Sequence, residues 1–153
     1  MYIQSTFIHL DKLGEHKERE LWNKKILSWG DYQENIEKTN LFFESKDSKL
    51  YSSFKALDQK DIEYFANKIK KTEYYRLAIS FPEDVLFLDI ETTGLSQYYD
   101  HITVIGWSIN NVYNYYIHGL SDIMYFINTI KKAKIIVTFN GSIFDLPFIK
   151  KFF

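Results

Sequence analysis

Cysteine is absent from the 153 residues, which excludes a disulfide framework, a thiolate zinc site and a cysteine nucleophile. Candidate metal ligands are reduced to carboxylates and four histidines, so an oxygen-ligated hard cation becomes the default. Also missing is any unbroken apolar run near the roughly 18 residues that a bilayer-crossing helix needs. The start, Met1-Tyr2-Ile3-Gln4, has no basic stretch leading into an apolar one. A cytoplasmic globule without membrane contact is therefore expected. Charge of one sign is lacking too. Nineteen basic residues against twenty acidic ones leave a net charge of -1, so bulk charge does not advertise a polyanionic partner and any such binding must rest on local patches.

What is present suffices for a packed core: 46% of residues are hydrophobic, in a length suited to one ordinary domain or a small domain with an ancillary segment. Residues 1–80 and 81–153 read differently. The first part is charge-rich and helical in period, with Glu18, Glu20, Leu21, Trp22, Ile26 and Leu27 near 3.6 spacing. Glu44 to Lys49 looks like a polar loop. Asp58-Gln59-Lys60-Asp61 offers an N-cap for a helix through about Lys71, burying Ile62, Phe65, Ala66 and Ile69. From Val85 the pattern turns to strands: Val85 to Ile90, Ile102 to Ile109 and Val112 to Ile117, the last two joined by Asn110-Asn111, which suits a tight hairpin. A helix over about Ser121 to Lys132 follows, with Ile123, Phe126, Ile127 and Ile130 as its apolar stripe. Ile135 to Phe139 reads as a buried strand, and Phe144 starts another helix. The order is β-β-β-α-β-α, an α/β fold behind a helical N-terminal segment.

Asp89 and Glu91 lie two apart at the end of the apolar run of the first strand. On a strand both carboxylates project from one face, as the grip on a hard cation requires. Asp89 among Phe, Leu and Ile would be an uncompensated charge in a core without a cation. Asp145 has two readings, a ligand or an N-cap before Leu146-Pro147. His101 and His118 flank strands and suit a surface place better than catalysis, as do His9 and His16. Trp22, Trp29, Tyr64 and Phe65 at helical spacings fit a core better than a base-stacking surface. The five basic residues of 81–153, Lys131, Lys132, Lys134, Lys150 and Lys151, fit solvated helix ends, with a phosphate-tracking patch as the alternative.

Phe87-Leu88-Asp89-Ile90-Glu91-Thr92-Thr93-Gly94-Leu95, the strand Ile102-Thr103-Val104-Ile105-Gly106 and Asn140-Gly141-Ser142-Ile143-Phe144-Asp145 together resemble the first two motifs of the DEDD (DnaQ-like) 3'-5' exonucleases of the ribonuclease H-like superfamily. Within it the pattern is most similar to the YprB-like group. Upstream, Tyr64-Phe65-Ala66, Tyr75-Arg76-Leu77, Phe7-Ile8-His9-Leu10, Gly14-Glu15 and Glu20-Leu21-Trp22 extend the likeness over most of the chain. Leu10 to Gly14 resembles the hairpin of a helix-hairpin-helix element, with one glycine where such hairpins use more.

The resemblance implies a ribonuclease H-like mixed sheet and a two-metal site for Mg²⁺ or Mn²⁺ acting on the 3' end of DNA or RNA. Asp89 would bridge the ions, Glu91 would complete one shell or orient water, and Asp145 would reach the second ion through water. Thr92, Thr93, Gly94, Leu95, Asn140, Gly141 and Phe144 would contact the nucleic acid, with Leu95 wedging the last base. A complete enzyme of this kind carries a later aspartate and a His or Tyr base, and neither follows Asp145 here. The expectation is a C-terminally truncated domain lacking its last strand and helices, weakly active or inactive alone. The alternatives are a binding module, or a half-enzyme whose Ile135-Phe139 edge is covered by a second chain or another copy.

Overall fold

The computed structural model describes residues 2–39 and 48–153, and the chain divides into two compact units, residues 1–81 and 82–153. The first unit is helical: α1 (Glu15–Asn23), α2 (Trp29–Thr39), α3 (Ser48–Asp58), α4 (Ile62–Ala66) and α5 (Tyr75–Ser80). A 3-10 turn at Ile3–Ser5 precedes them. The periodic stretch through Leu27 is not one helix. It stops at Lys24 and resumes at Trp29 because Lys25 takes the left-handed conformation (φ 66°). Ser28 and Asp31 then exchange backbone-to-side-chain hydrogen bonds in the manner of a capping box, at 2.9 and 3.2 Å. Downstream, Asp61 supplies the cap, accepting from the Tyr64 amide at 3.0 Å, and α4 ends at Ala66, well short of Lys71. The polar stretch from Glu44 falls outside the described residues as far as Asp47, and Ser48 already opens α3.

The core of this unit is aromatic. Trp29 and Phe65 stack at 5.8 Å between ring centroids, and the His9 ring lies 5.1 Å from Trp29. Their burial settles the core reading for those two rings. One charge cluster is buried beside them. Arg76 Nη1 meets Glu18 Oε1 at 2.9 Å and donates to Thr6 Oγ1, while the Phe7 amide donates to the same Glu18 oxygen at 2.6 Å. Those bonds compensate for removing both charges from water.

The second unit runs β1 (Val85–Thr92), β2 (Ile102–Ile109), β3 (Val112–Ile117), α6 (Met124–Ile130), β4 (Ile135–Val137) and α7 (Asp145–Ile149), which is the β-β-β-α-β-α order read from the sequence. The sheet order is β3-β2-β1-β4, antiparallel except for the parallel β1/β4 pair. Asn110 and Asn111, both at positive φ (52° and 60°), make the hairpin turn whose hand matches strand twist. Leu86, Leu88, Ile90, Ile105 and Trp107 on one sheet face pack with Phe126, Ile127 and Ile130 of α6 and Phe148 and Ile149 of α7.

Two boundaries differ from the sequence reading. Helix α6 starts at Met124 because Ser121 accepts from the Ile117 amide and Asp122 accepts from the Met124 amide, which holds that stretch in turns. Strand β4 ends at Val137, two residues early, where the chain turns through Thr138 to Asn140 (φ 56°). Among the described strands β4 is an edge, and its brevity limits the pairing surface it offers. No helix among the described residues is long and apolar enough to cross a membrane.

Candidate functional site

Strand β1 is interior in the sheet and alternates from Leu86 onward: Leu86, Leu88 and Ile90 point into the core, while Phe87, Asp89 and Glu91 are exposed on the opposite face. The two carboxylates therefore share one face near the C-terminal end of the strand, with Cα atoms about 6.6 Å apart from the strand rise. This corrects one expectation. Asp89 is not a charge trapped in a core, because the apolar run around it divides between two faces. The burial penalty consequently gives no argument for a cation, and the shared face alone does.

After a register shift between Glu91 and Thr92, the chain forms a clasp over residues 93–101. The Thr93 amide donates to the His101 carbonyl at 3.0 Å, and the His101 amide donates to Thr93 Oγ1 at 3.1 Å. Asp100 organises the interior: Oδ1 accepts from Thr93 Oγ1 at 3.1 Å and Oδ2 from the Ser96 amide at 2.9 Å. Thr92 Oγ1 donates to the Gly94 carbonyl. A Cβ at Gly94 would stand 2.6 Å from the Asp100 carboxylate. Gly94 thus has a packing reason of its own, distinct from admitting a sugar. Leu95 projects into solvent, as a wedge must, beside the equally exposed Tyr98 and Tyr99.

The second motif closes another turn. The Asn140 carbonyl accepts from the Ile143 and Phe144 amides at 2.9 and 3.1 Å, and the Gly141 carbonyl accepts from the Leu146 amide at 2.8 Å. Gly141 is buried, and a Cβ there would overlap the Thr138 methyl group, so the turn has no room for a side chain at this position. Phe144 is half-buried, its ring 5.1 Å from that of Phe148 against the core. Asn140 alone of these three is exposed.

Asp145 is buried, and its Oδ1 has no hydrogen-bond partner among the described residues. It is not the N-cap of α7; Phe144 holds that position, without a side-chain bond. An orphaned buried carboxylate oxygen at a helix start is what a water or cation contact would satisfy. The three carboxylates do not form a ready cage, since no three His, Asp or Glu side chains among the described residues stand close enough to hold a metal ion. The donor set still fits Mg²⁺ or Mn²⁺ held by the Asp89 and Glu91 pair, because Mg²⁺ keeps several waters and binds through one or two carboxylates.

His101 and His118 face each other, ring centroids 5.1 Å apart, and His118 Nδ1 bonds the Tyr116 hydroxyl at 3.2 Å. Both are exposed. The lysines behave as helix-end and clasp residues. Lys131 caps α6, Lys134 pairs with Asp84 at 3.4 Å, and Lys151 donates to the Asp100 carbonyl at 3.2 Å. Asp100 escaped the sequence reading because it belongs to neither motif; its distance of seven residues from Thr93 carries no signal until the clasp is formed. The exposed Tyr113 and Tyr115 on β3 escaped it as well, although their two-residue spacing on a strand was available.

Residues 86–153 match the family model RNase_H_2 of the RNase H superfamily, a span that begins inside β1 and takes in both motifs. The mixed four-stranded sheet with its helices fits that fold. No curated protein and no solved structure gives a significant match to the chain.

Proposed function

We propose, with the RNase H superfamily match as the premise, that the second unit is the catalytic part of a metal-dependent nuclease hydrolysing phosphodiester bonds at the 3' end of DNA or RNA, of the YprB-like kind. The observation that carries this reading is the exposed Asp89 and Glu91 pair on one face of the central strand. Ligand sites of open α/β sheets gather at strand C-terminal ends, and this pair occupies one. Bound there, Mg²⁺ or Mn²⁺ would activate water and steady the leaving oxygen. Asp89 and Glu91 would hold the cation and Asp145 would contribute through water, while the Asp100 clasp would keep Thr92 to Leu95 in place for the terminal nucleotide.

The test is cleavage of labelled single-stranded DNA and RNA with Mg²⁺ or Mn²⁺ by the natural chain and by Asp89→Ala and Glu91→Gln. Loss of cleavage by at least about a hundredfold in either variant is expected. Equal cleavage by Asp89→Ala would sink the assignment. A second reading, nucleic-acid binding without hydrolysis, is favoured by one observation: the three carboxylates do not converge. It requires binding that persists in EDTA while no metal condition restores cleavage.

A further inference from the structure

The β2/β3 hairpin brings together two histidines that the carboxylate site does not use. His101 stands immediately before β2 and His118 immediately after β3, so the antiparallel pairing that aligns Val104 with Ile117 returns them to the same end of the sheet. Their rings face each other with centroids 5.1 Å apart and planes at 49°. Both side chains are exposed, so an ion can reach them from solvent. The backbone under each is fixed. The His118 amide donates to the Thr103 carbonyl at 2.9 Å, and His101 is bonded to Thr93 through both its amide and its carbonyl.

Three properties set this pair apart from two surface rings that merely meet. The first is spacing. A tetrahedral cation sits about 2.0–2.1 Å from an imidazole nitrogen, hence about 3.2 Å from the ring centroid, and the tetrahedral angle then sets two ligating rings about 5.2 Å apart. The separation of 5.1 Å satisfies this without movement of either strand. The second is the Tyr116 hydroxyl, 3.2 Å from His118 Nδ1. A ligating imidazole donates its other ring N–H to an oxygen, which fixes the ring and raises its basicity. With Nδ1–H donating to Tyr116, whose ring is packed in the core, Nε2 keeps its lone pair for an ion. The third is availability, since no hydrogen bond among the described residues engages the His101 ring.

We propose that His101 and His118 form a two-imidazole site for a divalent cation of the Zn²⁺ kind, and that the bound ion ties the clasp of residues 93–101 to the end of β3. Imidazole suits Zn²⁺, Ni²⁺ and Cu²⁺, whereas carboxylate suits Mg²⁺ and Mn²⁺, so ligand chemistry separates this site from the Asp89 and Glu91 pair. No three His, Asp or Glu side chains among the described residues stand close enough to share one ion, so water completes the shell and the ion exchanges with solvent. The clasp closes at His101 through two bonds to Thr93; the ion adds a tie to another strand. None of this requires the second unit to be a nuclease.

The test titrates the full chain with Zn²⁺ by calorimetry at neutral pH, in excess Mg²⁺ so that oxygen-ligated sites are filled. One Zn²⁺ per chain is expected. His101→Ala and His118→Ala, both changes of exposed side chains, should each weaken binding about a hundredfold by removing one arm of the chelate. Tyr116→Phe, which keeps the ring and removes the oxygen, should weaken it about tenfold. Asp89→Ala should leave it unchanged, and so should His16→Ala, the control for the exposed His16 and Glu20 pair at 3.4 Å. Hydrogen exchange reads the tie. The Thr93 and Ser96 amides, both bonded within the clasp, should exchange about tenfold more slowly at a Zn²⁺ concentration ten times its dissociation constant, and not in His118→Ala. No Zn²⁺ binding, binding undiminished in either histidine variant, binding lost with Asp89→Ala or His16→Ala, or clasp exchange indifferent to Zn²⁺ overturns the proposal. Cleavage lost in Asp89→Ala while Zn²⁺ binding fails leaves the nuclease reading standing without this site; Zn²⁺ binding without cleavage does the reverse.

Discussion

At the scale of single residues, Asp145 of the second unit is a buried carboxylate with an oxygen that no group among the described residues satisfies. Asp145→Asn keeps the shape and removes the charge, so in the absence of metal it should leave stability unchanged or raise it by about 1 kcal/mol. The same variant should lose metal-dependent activity. Thermal melts with EDTA and with Mn²⁺ check both halves. In the first unit His9 plays the opposite part. Burial first, and then the nearby Lys68 charge, lower its pKa from 6.5 to about 4. Between those values an unfolded chain takes up a proton that the folded chain refuses, so stability falls as pH drops from about 6.5 to about 4 and levels off below. The full loss is about 3 kcal/mol. Urea unfolding at pH 7.5 and 4.5 should show this slope in the natural chain and a flatter one in His9→Gln.

Among the elements, the strands were more legible in the sequence than the helices. Strands β2 and β3 fall on the residues expected because alternation and the Asn110-Asn111 turn act locally. Two helix ends depart from the sequence reading for local reasons: Asp122 captures the Met124 amide before α6, and Lys25 takes positive φ after α1. Asp89 and Glu91 were readable because strand period alone puts them on one face. The clasp was not, since it depends on Asp100 folding back over Gly94. A double-mutant cycle tests that element: Gly94→Ala should cost about 1–3 kcal/mol by displacing the Asp100 carboxylate from its two donors, and almost nothing once Asp100→Ala is already present. Additive losses would show that the glycine serves something else.

For the whole molecule, a divalent cation that binds only the folded chain must raise its melting temperature by mass action. At a cation concentration ten times the dissociation constant the gain is about 1.4 kcal/mol, a shift of a few degrees for a chain of this size. Mg²⁺ and Mn²⁺ should produce it, Asp89→Ala should abolish it, and no shift with either ion would remove the metal from the proposed site. The distribution of tryptophan makes such measurements easier to interpret. Trp22 and Trp29 lie in the first unit and Trp107 in the second, where its indole is buried against Phe126 and Tyr125. Replacing the first two by phenylalanine would leave a single tryptophan in the core behind the carboxylate strand, one that red-edge excitation addresses apart from the twelve tyrosines. Its emission then becomes an optical label that nature has already installed, reporting the melting of one half of the chain while remaining silent about the other.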